Sequence, residues 1–169
     1  MSTLLHKKET LKHLRLGIMS VSTTRGLAED KAGAWIKKTA RKEGHDVVVH
    51  HVVTDEKEAI HDMVANLVYQ VQPHVLLITG GTGVSPRDVT VETVAPLFDK
   101  ELSAFGPLFA QLSYDQIDSA ALLSRATAGI VNNVILFLMP GSLKACQLAC
   151  NALIFPELGH LVKHISESP

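Results

Sequence analysis

Two cysteines in 169 residues rule out a disulfide-stapled fold. Cys146 and Cys150 fall four apart, on one face of a helix, and read as small core thiols rather than a redox or metal pair. A reducing, cytoplasmic setting is the expectation that follows. An excess of charge of one sign is also missing. Sixteen basic residues stand against seventeen acidic ones, for a net charge of −1. That excludes a nucleic-acid binder working by bulk positive charge. No apolar run approaches the roughly 20 residues of a membrane-spanning helix, so no membrane partner is expected. No internal repeat, low-complexity tract or nucleophile–base constellation is legible either. His160 and His164 have helical metal-ligand spacing, but a solvated face is the preferred reading for such a pair. Residues 1–16 carry Lys7, Lys8, Lys12 and Arg15, with no apolar stretch of a secretion signal. Residues 1–14 read as a flexible basic arm and residues 15–169 as one domain, whose 46% hydrophobic content suffices for a full core.

What is present is organised around one stretch. The apolar run ending in Leu76, Leu77 and Ile78 is short and unbroken, as a strand covered on both faces would be. It empties into Thr79-Gly80-Gly81-Thr82-Gly83, where three glycines permit turns closed to residues with a Cβ. Such a loop can aim several N–H groups into one anion-sized concavity, and Arg87 and Asp88 follow it closely. A glycine run also marks plain chain reversals, so the motif alone is a weak signal. It is no Walker loop, since no Gly-Lys-Ser/Thr follows. Nor is it a Rossmann fingerprint, since Pro86 stands where the third glycine would be.

Its surroundings strengthen it. Residues 15–21 and the β-branched residues 46–53 read as strands. Between them Ala32, Trp35, Ile36, Thr39 and Ala40 recur at helical spacing, capped by Asp30 and closed by Gly44. A second helix has its apolar face at Ile60, Met63, Val64, Leu67, Val68 and Val71, with Pro73 beyond its end. Asp55 and Glu58 at its start fit a capping box. Strand, helix, strand, helix, strand with short connections is the pattern of a parallel α/β sheet. Ligands bind such sheets outside the carboxyl ends of the strands. Three polar clusters fall there: residues 20–25, Asp55, and residues 79–88. Further on, Thr90 is expected to cap a short helix disturbed by Pro96, and residues 98–106 to form a loop. Phe105, Leu108, Phe109 and Leu112 suggest a helix, and residues 117–125 another. Residues 127–131 and 134–139 flank Asn132-Asn133 as a hairpin. Ser142 can cap a helix bearing Leu143, Cys146, Cys150, Leu153 and Ile154, and Pro156 introduces a last one. The expected fold is a single-domain α/β class, a three-layer α/β/α sandwich with a mostly parallel mixed sheet.

The glycine stretch with Asp88, together with Ser124-Arg125-Ala126-Thr127-Ala128-Gly129-Ile130 and Met139-Pro140-Gly141-Ser142-Leu143-Lys144-Ala145, resembles the MoaB/MogA family of molybdenum cofactor biosynthesis proteins, relatives of the gephyrin G domain. Residues 96–99 and 140–146 look closest to the MoaB branch. The resemblance implies a homo-oligomer, trimer or hexamer, and, in active members, MgATP-dependent adenylylation of molybdopterin with release of pyrophosphate. A downstream molybdenum insertase would take the product. The two aspartates of that family match Asp55 and Asp88, implied to be catalytic and to hold Mg²⁺. Ser22, Thr79, Gly80, Gly81, Thr82, Gly83, Gly141 and Ser142 would bind the pterin phosphate or the nucleotide, and Arg87 or Lys144 would offset developing charge. Arg87-Asp88-Val89-Thr90 reads as in active relatives, whereas Asp30-Lys31-Ala32-Gly33 lacks a serine often found there. The alternatives are a non-catalytic molybdopterin binder or carrier, and an oligomeric scaffold.

Overall fold

The structure, a computed structural model, describes residues 11–166. Strands β1 (Arg15–Val21), β2 (Asp46–Val53), β3 (Val75–Thr79), β4 (Lys100–Glu101), β5 (Thr127–Val131) and β6 (Val134–Met139) form one sheet in the order β2-β1-β3-β6-β5-β4. The pairs β1–β2, β1–β3 and β3–β6 are parallel, while β5 runs antiparallel to both β6 and β4. Helices α1 (Lys31–Lys42), α2 (Lys57–Asn66), α3 (Thr90–Val94), α4 (Phe105–Ile117), α5 (Leu143–Ala149) and α6 (Leu158–Ser166) complete the chain. Single π-helical turns, Leu67–Val71 and Cys150–Ile154, extend α2 and α5.

Two separate apolar clusters make the molecule a three-layer α/β/α sandwich. Side chains alternate across a strand, so Val75 and Leu77 of β3 join one cluster with α1, α4, α5 and α6. Leu76 and Ile78 join the other with α2. Every residue of β3 and β6 is buried, which is why both read as unbroken apolar runs. Cys146 and Cys150 lie in the first cluster, and burial pushes the Cys146 thiol up to about 12. Both are inert core thiols. Leu14 is fully buried too, so the core begins by that residue; residues 11–13 of the expected basic arm are exposed, and its residues 1–10 lie outside the described residues.

The chain leaves β1 toward β2 and returns past it to β3, so the strand order reverses between β1 and β3. A crevice outside the carboxyl ends of the strands opens at such a point. Three local expectations are corrected. Residues 98–106 are not simply a loop, because β4 pairs with β5 there. Two charged residues are too few to show the alternation of a strand. Thr90 does not cap α3: it is the first helical residue, and its hydroxyl donates to Gly80 O at 2.8 Å. The capping box at Asp55 does not form, since Glu56 is the N-cap residue and no side chain caps α2.

Candidate functional site

The loop after β3 is held by contacts only glycine allows. Gly80 and Gly81 adopt φ of +92° and +66°, the left-handed region that disfavours a Cβ. A Cβ on Gly80 would also strike Val21 O, and one on Gly81 the Thr90 hydroxyl. Gly141, in the loop after β6, comes so near that a Cβ there would sit 3.2 Å from Gly80 Cα. Arg125 clamps the far side. Its Nε donates to Gly83 O at 2.8 Å, its Nη2 to Asp88 O at 3.1 Å, and its backbone N–H to Thr82 O at 2.9 Å. Arg125 also pairs with Glu92, whose carboxyl its hydrogen bond holds below the usual range. Asp88, half-buried, accepts from Ser85 N at 2.9 Å through Oδ2. Ser142 caps α5, its Oγ accepting from Ala145 N at 3.2 Å.

These pieces border a cleft of about 250 Å³. Its floor is Gly81, Thr82 and Gly83; Asp88, Gly141 and Ser142 stand at its sides; Phe109, Ile117 and Leu123 form an apolar wall. Two hydroxyls of this lining, Thr82 Oγ1 and Ser124 Oγ, are buried without a hydrogen-bond partner among the described residues. Buried donors are rarely left so, and both residues border the cleft. A cleft lined by both apolar side chains and a few polar groups is the usual character of a small-molecule site.

A second region lies at the ends of β1 and β2. Asp30 does cap α1, accepting from Gly33 N at 2.9 Å, and is also the centre of a buried network. Ser20 Oγ donates to its Oδ2 at 2.6 Å, and His50 Nε2 lies 2.8 Å from the same oxygen. Burial opposes the charge on Asp30, but the hydrogen bonds from His50, Ser20 and Gly33 outweigh it and hold the carboxyl at about 2. Thr79 extends the network, donating to Ser20 Oγ at 3.1 Å, so its hydroxyl serves the frame of the site. Asp55 does not cap its helix. Thr23 Oγ1 donates to it, tying the loop after β1 to that after β2. Beside these loops runs an open trough of about 480 Å³ bordered by residues 22–27 and 50–54.

Cleft and trough adjoin through shared lining residues, in one furrow of three pockets. A neck lined by Ser20, Ser22, Arg25, Asp30, Thr79 and Gly141 shares Gly141 with the cleft, and Ser22 and Arg25 with the trough. The structure thus gathers Thr82, Gly81, Gly83, Asp88, Gly141 and Ser142 at one end, with Ser22 at the other. Asp55 stands beside the trough through Thr23, in a different part of the furrow from Asp88. Among the described residues no group of three or more metal-ligating side chains occurs. Carboxylate oxygens are the right donors for Mg²⁺, and phosphate oxygens would have to supply the rest. Arg87 and Lys144 are exposed and line neither cavity. His160 and His164 sit on an exposed face of α6, their Nε2 atoms 2.8 Å apart. Sequence reasoning missed the apolar wall, the Ser124 hydroxyl and the Asp30–His50 network. Only the inward register of His50, opposite Ile18, could have pointed to the last.

Glycine-rich loops converging at the switch point of a doubly wound α/β domain mark the place where such folds take small ligands. Residues 17–160 match the family described as "Probable molybdopterin binding domain", and the chain belongs to that family. It is 42% identical over 166 residues to molybdenum cofactor biosynthesis protein B of Bacillus subtilis (strain 168), covering 98% of each chain. It superposes with a TM-score of 0.89, at 40% identity, on a crystal structure of molybdenum cofactor biosynthesis protein B, covering 93% of this chain and 98% of that one. The tungsten cofactor synthesizing protein MoaB from Pyrococcus furiosus follows at 0.81 and 36%, covering 93% and 99%. The relatives place the chain in molybdenum cofactor biosynthesis. No helix among the described residues is long and apolar enough to cross a membrane.

Proposed function

We propose that this protein is a molybdopterin adenylyltransferase acting on MgATP. The observation that carries the reading is the furrow itself, which runs from the Asp88 cleft through the neck to the trough beside Asp55. The cleft suits the pterin, with its ring on the apolar wall and its phosphate toward the glycine loop, and the trough suits the nucleotide. Juxtaposed in this way, an oxygen of the pterin phosphate forms a bond to the α-phosphorus of ATP as the bond to the β-phosphate oxygen breaks, and pyrophosphate leaves. The protein's part is positioning and charge neutralisation. Mg²⁺ arriving with the ATP phosphates would be held by phosphate oxygens together with Asp88 on the cleft side or Asp55 on the trough side, and would supply neutralising charge there. Loop N–H groups, Thr82, Ser142 and Ser22 orient the phosphates. A homo-oligomer handing its product to a molybdenum insertase belongs to the same reading.

The test is pyrophosphate release from molybdopterin and MgATP. We expect Asp88→Asn to abolish it while pterin binding persists. Turnover absent at every metal and ATP concentration refutes the reading. One observation favours a second reading, a non-catalytic molybdopterin binder: Asp88 lines the cleft and Asp55 does not. Pterin affinity indifferent to nucleotide would select it.

A further inference from the structure

Among the described residues, the furrow holds one cation, Arg25, that none of its own carboxylates neutralises. Arg25 follows β1, and its backbone N–H and Nε lie 3.2 and 3.4 Å from Ser22 Oγ, which accepts from both. That pair of contacts turns the guanidinium back over the strand ends. Its Nη2 lies 3.7 Å from where a Cβ on Gly141 would be, beside the Gly80–Gly141 contact. Arg125 has Glu92 as a partner, and Arg15 donates to the carbonyls of Val71 and Gln72. Arg25 has no carboxylate within ion-pair distance among the described residues. The nearest acid in the neck is Asp30, and both its oxygens are committed elsewhere, Oδ1 to Gly33 and Oδ2 to Ser20 and His50.

We propose that Arg25 binds a phosphoryl group at the junction of cleft and trough, an inference that rests on the reading of the furrow as a phosphate-ester site. Size fixes the position. The neck encloses only about 10 Å³, room for about one water, so a phosphate lies above it rather than inside. There the planar fork of Arg25 can engage two oxygens at once, which an ammonium cannot match. Arg25 borders both the neck and the trough, whereas Arg87 and Lys144 border neither. The positive group implied for this chemistry is therefore assigned to Arg25 in place of those two.

The test measures binding, not turnover. Molybdopterin alone and a non-hydrolysable ATP analogue alone are titrated by calorimetry into wild type, Arg25→Ala, Arg25→Lys and the charge-matched surface variant Arg41→Ala. Unchanged melting temperatures show that each variant is folded. Arg25→Ala is expected to weaken binding of at least one ligand tenfold or more, with Arg25→Lys recovering only part of the loss and Arg41→Ala matching wild type. A loss confined to one ligand identifies whose phosphate Arg25 holds and upholds the assignment. Unchanged affinity for both in Arg25→Ala overturns it, whether or not the wild type releases pyrophosphate. Arg25-dependent molybdopterin binding without pyrophosphate release removes the adenylylation reading and leaves the assignment standing. A wild type that binds neither ligand overturns both.

Discussion

Asp30 carries more of this site than its role as a helix cap suggests. It is 7% exposed, and Ser20, His50 and the Gly33 N–H all hold its charged form. Its carboxyl titrates at about 2 in the folded protein against 3.8 in the unfolded chain. A depressed carboxyl contributes stability above its unfolded value and loses it as pH falls through the folded one. Denaturant unfolding between pH 5 and 2 is expected to lose about 2 kcal/mol through this group, starting near pH 4. Asp30→Asn should flatten that part of the profile; an unchanged profile would show that Asp30 does not titrate in this window. The two orphan hydroxyls make a second case. Thr82→Val removes a buried donor that has no partner among the described residues, so it should leave the melting temperature within a few degrees of wild type. If a ligand satisfies that hydroxyl, the same change should weaken molybdopterin binding by about 1 kcal/mol, roughly fivefold, in a calorimetric titration. Equal affinity in both proteins would remove Thr82 from the site.

At the level of elements, the glycine loop is built to one shape. Gly81→Ala combines a φ of +66° with a Cβ driven into the Thr90 hydroxyl, which itself bonds Gly80 O. A cost of about 1–3 kcal/mol is expected from the strain, read as a fall in the midpoint of urea unfolding. Alanine at Gly26, where φ is negative and only the end of the Glu29 side chain is near, is the matching control and should cost far less. The strands and this loop were legible because their signals are local. Residues 75–79 and 134–139 are unbroken apolar runs, and Asn132-Asn133, with φ of 48° and 63°, makes the hairpin turn its residue types demand. What was illegible depends on partners distant in sequence. Thr90 reads as a cap because hydroxyls usually cap, yet here its hydroxyl meets a carbonyl ten residues back. Asp55 and Glu58 fit a capping box, but Thr23 takes the carboxylate. The apolar wall at Phe109, Ile117 and Leu123 looks like any helix face until the loops fold against it.

Across the whole molecule, the furrow depends on loops that follow different strands. Residues 22–25 follow β1, residues 80–83 follow β3, and residues 140–142 follow β6, with Gly80 against Gly141 and Arg25 beside Gly141. The strands beneath are parallel neighbours in the centre of the sheet, which brings the three loops to one edge. A ligand bridging them binds the folded state alone and must stabilise it by mass action. At a hundred times its dissociation constant that amounts to about 2.7 kcal/mol, or roughly 5–10 °C in melting temperature for a chain of this length. Hydrogen exchange should show where the stabilisation acts. With molybdopterin alone, protection is expected in residues 81–83 and 141–142, which border the cleft. Adding a non-hydrolysable ATP analogue with Mg²⁺ should extend it to residues 22–25 and to residues 50–54 along the trough. If the nucleotide analogue adds no protection there at saturating concentration, the trough is not a nucleotide site. The cleft then acts alone, as expected of a protein that binds the pterin without modifying it.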